Sequence, residues 1–153
     1  MVVTAVIKLH DISKRFGRRF ALLNLNYEFA EGKITLLTGE NGAGKTTLLR
    51  TIATVLRPTY GKLFIFGQDV SKNLSSVRQN IDLVTHGSHL YYDLSAKENL
   101  ELIKMFTGKA VDIDEIINRI GLEFHAHRPV RHFSAGMKRR LVIGRLLIKQ
   151  PKL

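Results

Sequence analysis

Short apolar runs separated by polar, glycine-bearing turns fill the first half of the chain. The runs typical of half-buried strands cover residues 2–9, 20–29, 62–66 and 81–84. Residues 34–37 are apolar throughout and lead into a glycine, which predicts a strand buried on both faces of a parallel sheet. A helix is predicted to follow, from about residue 44 to 55.

The second half of the chain has helix-type spacing and predicts three helices. A capping-box pattern of Ser95 and Glu98 opens the first, over about 95–106. The third covers about 134–149, with a proline just beyond it. The second, over about 112–120, ends before a glycine and has one apolar face, formed by Ile113, Ile116, Ile117 and Ile120.

The composition is that of an ordinary globular protein. The chain has 153 residues, 44% apolar and 24% charged. With no cysteine, disulfides and thiolate-bound zinc are excluded. No apolar run approaches the roughly 20 residues that cross a bilayer, and the N-terminus has no signal-sequence pattern. We expect one domain, soluble or peripheral to a membrane, in the cytosol.

The charge is strongly basic and unevenly distributed. The net charge is +11, and residues 125–153 hold 8 of the 24 basic residues and no acidic residue. Such an asymmetry indicates either an anionic partner or a solvated basic face. Within this segment His125, His127 and His132 lie close together in sequence, but their spacing fits no helix face and no carboxylate accompanies them. A basic surface is therefore favoured over a metal site.

One segment matches the phosphate-loop pattern G-x-x-x-x-G-K-[ST] (Walker A) in full. Its glycines let successive backbone N–H groups turn toward phosphate oxygens, and the helix that follows directs its positive end at the same anion. Lys45 is predicted to reach the β- and γ-phosphates, Thr46 to bind Mg²⁺ through its hydroxyl, and Thr47 to donate to phosphate. The alternative is a glycine turn with an incidental lysine. The predicted nucleotide-binding residues here are Gly39, Glu40, Asn41, Gly42, Ala43, Gly44, Lys45, Thr46 and Thr47.

A second motif lies at the start of the basic third helix. Residues 133–137 read F-S-A-G-M, which resembles the signature L-S-G-G-Q of ATP-binding cassette (ABC) ATPases. Ser134 and Gly136 match that signature, whereas Phe133, Ala135 and Met137 depart from it. A serine at a helix N-terminus beside a small residue suits a terminal phosphate, although Ser134 as a plain N-cap is the alternative.

The resemblance to ABC ATPases covers nearly the whole chain and implies a fold. It implies an α/β P-loop NTPase core with an N-terminal antiparallel β subdomain and a helical subdomain over about 88–140, C-terminally incomplete. The whole of 1–153 is then a single nucleotide-binding domain.

The same resemblance implies two further site residues. Phe16 occupies the place of the family's adenine-stacking aromatic, with a simple core residue as the alternative. His86 stands where the family has a glutamine that senses Mg²⁺ and phosphate, and it is the one predicted catalytic residue. The alternative for His86 is a strand-end histidine without a ligand. His86 together with Ser-Ala-Gly is similar to the haem-exporter ATPases of bacterial cytochrome c maturation.

The family's catalytic carboxylates follow the signature helix, on a strand ending in Asp-Glu. The present sequence reaches only Leu153, where that strand is expected to begin. We therefore expect an incomplete chain, with a natural binding-only product as the alternative. ATP hydrolysis is implied by the resemblance alone.

The resemblance implies the ATP-binding subunit of an ABC transporter that uses ATP and Mg²⁺. Two such subunits, as a homodimer or a heterodimer, are expected to sandwich two ATP molecules between Lys45 of one and Ser134 of the other. They would drive a separate transmembrane subunit, which places the chain at the cytoplasmic side of the inner membrane without direct nucleic-acid binding. The alternatives are a soluble ABC-type ATPase acting on nucleic acid or ribosomes, and a phosphate-loop kinase or GTPase.

Overall fold

An antiparallel sheet with two helices forms one part of the protein, and a group of helices forms the other. The computed structural model describes residues 5–85 and 90–153. The chain divides into two units, Met1–Leu83 and Val84–Leu153.

The first unit is a four-stranded sheet in the order β2-β1-β3-β4, and each neighbouring pair is antiparallel. Leu9 of β1 lies opposite Tyr27 of β2 and Leu63 of β3, so β1 occupies the middle of the sheet. The elements of this unit are β1 (Ala5–Phe16), β2 (Arg19–Ala30), α1 (Lys45–Ile52), β3 (Tyr60–Ile65), β4 (Gln68–Asp69) and α2 (Leu74–Gln79).

The core of the first unit lies between the sheet and its helices. Ile12 and Ile65 are fully buried in it, Leu48 contributes from α1, and Val77 from α2. Alternation along β1 produces this burial, because one face of the strand carries the aliphatic residues. The predicted strands at 20–29 and 62–66 and the predicted helix at 44–55 are confirmed, and β1 continues seven residues past the predicted end at residue 9.

Two predicted strands are wrong. Residues 34–37 and 81–84 have no strand pairing, and Ile34 and Leu36 are almost fully exposed. A strand needs a neighbour to bind its backbone N–H and C=O groups. No strand among residues 5–85 and 90–153 pairs with either run, since the described sheet contains only β2, β1, β3 and β4.

In the part that the structure describes, the second unit consists of three helices and two short 3₁₀ turns. The three predicted helices are confirmed: they are α3 (Ala96–Thr107), α4 (Ile113–Arg119) and α5 (Ala135–Lys149). The isoleucine face of α4 is buried, and Leu100 of α3 and Leu141 of α5 belong to the same hydrophobic cluster. The 3₁₀ turns at Glu123–His125 and Val130–His132 connect α4 to α5.

The helix ends follow the sequence signals. Ser95 and Glu98 form a reciprocal capping box, and Asp112 caps α4 by accepting two backbone N–H groups. Gly121 follows α4 with φ of 63°, in the left-handed region that glycine adopts readily. Among the described residues, no helix combines the length and the apolarity needed to cross a bilayer.

Candidate functional site

The phosphate loop runs directly into α1, and Gly44 joins the two. Gly44 is the N-cap of α1 with φ of 88°, a left-handed conformation. A Cβ atom at this position would lie 2.4 Å from the carbonyl oxygen of Ala21 in β2. Glycine is therefore required at position 44 for two reasons, since the backbone is left-handed and it lies directly against β2.

Backbone N–H groups at the start of α1 have no acceptor within the helix. The first helical hydrogen bond is donated by Leu48 to the Gly44 carbonyl at 2.8 Å. The amides of Lys45, Thr46 and Thr47 come before that bond, and no side chain caps α1. Three consecutive donors at the positive end of a helix dipole form a site for an anion.

Lys45 places its ammonium group over the loop that precedes it. Its Nζ donates to the carbonyl oxygens of Gly39 at 2.7 Å and Glu40 at 2.6 Å. The Ala43 N–H also turns back, to the Glu40 carbonyl at 3.2 Å. These hydrogen bonds fold the loop back on itself. They hold the Lys45 ammonium group in the loop that precedes the free amides of α1.

The remaining loop residues are accessible to a ligand. Glu40, Asn41 and Thr46 are exposed, so the Thr46 hydroxyl is open to a metal ion. Gly39 and Gly42 have φ of 144° and 87°, and a Cβ on Gly42 would meet no atom within 4 Å. Gly42 is therefore needed for its backbone conformation alone.

Phe16 ends β1 at the hairpin turn and is 51% exposed. This exposure contradicts the alternative that Phe16 is a core residue. Leu22, whose side chain lies 3.1 Å from the position of a Cβ on Gly44, pairs with Lys14 of β1. Phe16 is two residues further along β1, about 7 Å from that pairing. Phe16 therefore lies two residues along β1 from the partner of Leu22, and its role in stacking on a base stays a prediction.

The signature-like motif is the N-terminus of α5. Ser134 caps this helix, and its Oγ accepts the Met137 N–H at 3.2 Å. The first helical bond runs from Lys138 to the Ser134 carbonyl, so the amides of Ala135 and Gly136 precede it. Ser134, Ala135 and Gly136 are all exposed. The structure bears out the N-cap and also presents two amides beside the hydroxyl.

The two large side chains that depart from the signature, Phe133 and Met137, pack against the core of the second unit. Phe133 is buried in the helical core, and its ring centroid lies 6.4 Å from that of His125. Met137 packs partly against the same cluster. A Cβ on Gly136 would lie 3.8 Å from the Ser134 Oγ, an ordinary contact. Phe133 and Met137 therefore anchor the helix start, and only Ser134 to Gly136 face solvent.

Basic side chains surround the start of α5. Lys138 Nζ lies 4.8 Å from the centroid of the Tyr92 ring. Arg131 pairs with Asp93 at 3.0 Å, and both partners are largely exposed. The histidines of this segment form no metal site with other ligands among the described residues. The basic surface predicted for this segment stays a prediction.

The predicted site residues fall in both units. Phe16 and the phosphate loop belong to the first unit, and Ser134 and Gly136 to the second. His86 lies outside the described residues, so its role remains a prediction. Sequence reasoning missed the hydrogen bonds from Lys45 to the loop carbonyls, which no residue spacing reveals.

The sequence profile of one family, described as "ABC transporter", matches residues 22–153. This match covers both the phosphate loop and the signature-like motif. The chain belongs to the ABC transporter family. Membership makes the kinase and GTPase alternatives wrong.

Curated ABC relatives are similar over nearly the whole chain. The bacitracin transport ATP-binding protein BcrA of Bacillus licheniformis is 35% identical over 99% of this chain and 50% of its own length. The cytochrome c biogenesis ATP-binding export protein CcmA of Nitrosococcus oceani is 32% identical over 94% of this chain and 67% of its own. The chain spans about half the length of the first of these relatives. Haem-exporter ATPases are therefore among its relatives, together with proteins named for other cargoes.

Solved ABC structures share the fold. An ATP-binding subunit of an ABC transporter superposes with a TM-score of 0.83, at 24% identity, over 95% of this chain and 63% of that one. A dimeric ATP-binding cassette in a post-hydrolysis state with ADP and Pi superposes with a TM-score of 0.80, at 28% identity, over 95% of this chain and 70% of that one. The predicted α/β ABC ATPase fold is confirmed.

Proposed function

We propose that this chain binds ATP as the nucleotide-binding part of an ABC transporter and couples ATP binding and hydrolysis to transport by a separate membrane subunit. The observation that carries the proposal is the anion site at the start of α1. Three free amides and the Lys45 ammonium lie at one helix end, immediately after a glycine that fits against β2. This arrangement can neutralise the negative charge of a polyphosphate.

The residues of the loop fit a magnesium-bound triphosphate. The amides of Lys45 to Thr47 supply donors, and the exposed Thr46 hydroxyl is the ligand type that Mg²⁺ accepts. The carbonyl oxygens of Gly39 and Glu40 accept hydrogen bonds from the Lys45 ammonium group, which keeps this cation in the loop. Bound Mg²⁺ would neutralise charge between phosphate oxygens. The protein itself would orient the phosphates through backbone N–H donors and would supply one cation, the Lys45 ammonium group.

Phe16 would complete the site at the other end of the nucleotide. Its exposed ring offers a flat apolar surface at the hairpin end of β1. The Lys14 Nζ lies over that ring, 5.3 Å from its centroid, and donates to the Arg57 carbonyl oxygen at 2.7 Å. Stacking on an aromatic favours any base, so selectivity for adenine over guanine is expected to be small.

The exposed Ser134 motif implies a second subunit. Its hydroxyl and two amides form a small anion-binding surface at the start of α5. We propose that it meets the γ-phosphate of ATP held by another copy or a related subunit. Dimeric cassettes are known in structures similar to this chain. Single subunits are then expected to turn ATP over slowly.

The names of the relatives indicate only the general class of membrane partner and cargo. The printed names of relatives include bacitracin transport, lantibiotic transport and a cytochrome c biogenesis export protein. We propose that the chain reaches the cytoplasmic side of the cell membrane through such a partner. The cargo is then set by the partner and not by the residues described here.

ATP-driven dimerisation of the full-length protein tests the proposal. A Ser134→Asp variant keeps an N-cap oxygen, so α5 remains capped, but it places a negative charge against the phosphate. We expect ATP to dimerise the wild type in light scattering, whereas Ser134→Asp stays monomeric and still binds ATP. Ser134→Thr is the matched control and should dimerise. Dimerisation by Ser134→Asp equal to that of the wild type would contradict the sandwich.

A further inference from the structure

A cavity of about 360 Å³ lies in the first unit, away from the phosphate loop. It is formed by the end of α1 and the residues after it, by the first half of β3, by residues 69–71 and by α2. The α1 helix separates it from the loop by about 12 Å, since the helix has eight residues. The volume lies within the usual range for small-molecule sites.

The lining of this cavity combines apolar and charged side chains. Its apolar residues include the buried Leu63, the half-buried Leu56 and Val70, and the exposed Leu74. Its cations are Arg57, Lys62 and Arg78, and Asp69 is the one carboxylate among the lining residues. An amphiphilic anion matches this combination of side chains.

Asp69 has its hydrogen-bond partners within the protein. One of its oxygens accepts both the hydroxyl and the N–H of Ser71, at 2.6 and 2.9 Å. These hydrogen bonds, with the nearby Lys72 and Lys62, hold the pKa of Asp69 below its ordinary value. The carboxylate therefore stays charged and bound, and the lining, with three cations and one carboxylate, keeps an excess of positive charge.

Arg78 is fixed in place at the wall of the cavity. Its Nε donates to the Thr54 hydroxyl at 3.0 Å, and its Nη2 to the Thr54 carbonyl at 2.8 Å. Its Nη1 has no hydrogen-bond partner in residues 5–85 and 90–153. A guanidinium held by two bonds loses little further entropy when it binds an anion.

The wall of the cavity also stores backbone strain. Thr54 is buried and has φ of 60°, in the left-handed region that β-branched residues rarely adopt. Strain of this kind persists where the surroundings over-determine the backbone, and it concentrates at binding sites. Here the surroundings are the two bonds from Arg78 and the turn that closes α1.

We propose that this cavity binds a small amphiphilic anion, with a phosphate or carboxylate headgroup at Arg57, Lys62 and Arg78 and an apolar tail over Leu63 and Val70. The site is separate from the nucleotide site and does not depend on the proposed function. The ligand comes either from solution or from an anionic lipid, because both share this chemistry.

Calorimetric titration of the whole chain with octyl phosphate, below its micelle concentration, tests the proposal. We expect binding of one molecule, at least about tenfold tighter than that of octyl glucoside or inorganic phosphate. Lys62→Glu and Arg57→Glu should each weaken it about tenfold, whereas Lys33→Glu, an exposed residue outside the lining, should not. Equal binding of octyl phosphate and octyl glucoside would overturn the proposal.

Two further arms separate the possible origins of binding. Lys45→Ala should leave octyl phosphate binding unchanged, and its loss in that variant would assign the binding to the phosphate loop and overturn the proposal. Vesicles containing phosphatidic acid distinguish the sources. Lys62-dependent sedimentation with them indicates a lipid ligand, and octyl phosphate binding without sedimentation indicates a soluble one. If the protein does not bind ATP, the proposed function is contradicted, whereas the proposal for this cavity is not affected.

Discussion

Two helix starts are central to the proposed function, and they are built differently. The α1 start is capped by Gly44, which has no side chain to occupy the free amides. The α5 start is capped by Ser134, whose hydroxyl already accepts the Met137 N–H. The first therefore presents three amides and a lysine, and the second presents two amides and a hydroxyl.

In the proposed function, this difference assigns the affinity for phosphate to the start of α1 and the completion of the site to the start of α5. A glycine cap leaves helix stability to packing, and Leu48 and Thr51 on the buried side of α1 supply it. The serine cap stabilises α5 by itself, and Phe133 anchors that helix start in the core. The phosphate loop is thus suited to tight polyphosphate binding, and the signature-like motif to a weaker contact with one phosphate.

Gly44→Ala should produce the largest loss of stability among the variants that compare the two helix starts. The added Cβ would lie 2.4 Å from the Ala21 carbonyl oxygen, and φ of 88° is strained for alanine. We expect a loss of about 3 kcal/mol in the free energy of unfolding by urea denaturation. Gly42→Ala is the control, since its Cβ meets nothing and only the backbone strain of about 1 kcal/mol applies. Equal effects in the two variants would contradict the contact with β2.

Gly144→Val should come next, because α5 depends on a glycine in its middle. A Cβ there would lie 2.9 Å from Ile120 Cδ1 and 3.3 Å from Leu100 Cδ2. Overpacking is expected to cost about 2 kcal/mol, measured as a lower urea midpoint. Gly136→Ala, with only an ordinary contact at 3.8 Å, should stay within about 0.5 kcal/mol of the wild type. A stable Gly144→Val protein would show that the three helices pack less closely than described.

Ser134→Ala sharpens the contrast between the two caps. Losing the hydrogen bond that the Met137 N–H donates to Ser134 Oγ should cost about 1 kcal/mol of stability in thermal unfolding. Ser134→Asp retains an oxygen acceptor and should unfold near the wild-type temperature. If alanine and aspartate unfold at the same temperature, the hydroxyl is not the functioning cap.

The smallest effect is a pH dependence in the second unit. Hydrogen bonds from the Ser95 hydroxyl and N–H hold the pKa of Glu98 below its ordinary value of 4.5. Because the folded pKa is the lower one, the stabilisation is complete above about pH 4.5 and is lost as the pH falls through the folded pKa. Glu98→Gln keeps the capping geometry without titrating, so its stability should fall less between pH 6 and pH 3 in denaturant titrations. Identical pH profiles would contradict the capping box.

Local signals predicted most of the helical unit. Capping residues, the isoleucine spacing and Gly121 fixed helix ends because each depends on neighbours within a few residues. The sequence also located the phosphate loop and the N-cap of α5. These features need no knowledge of distant contacts.

Features that depend on distant partners were not predictable. The runs at 34–37 and 81–84 have strand-like composition, but a strand exists only beside another strand, and none of the described strands pairs with them. The fit of Gly44 against β2 and the bonds from Arg78 to Thr54 join residues more than 20 positions apart. Composition also gave no sign of the cavity beside α2.

Calorimetric titration with ATP and Mg²⁺ tests the central claim most directly, namely that the free amides of α1 and the Lys45 ammonium bind a triphosphate. We expect saturable binding by the wild type, unchanged in Lys33→Ala and weakened at least about tenfold in Lys45→Ala. No heat of binding from folded wild-type protein, or equal affinity in Lys45→Ala, would contradict the account.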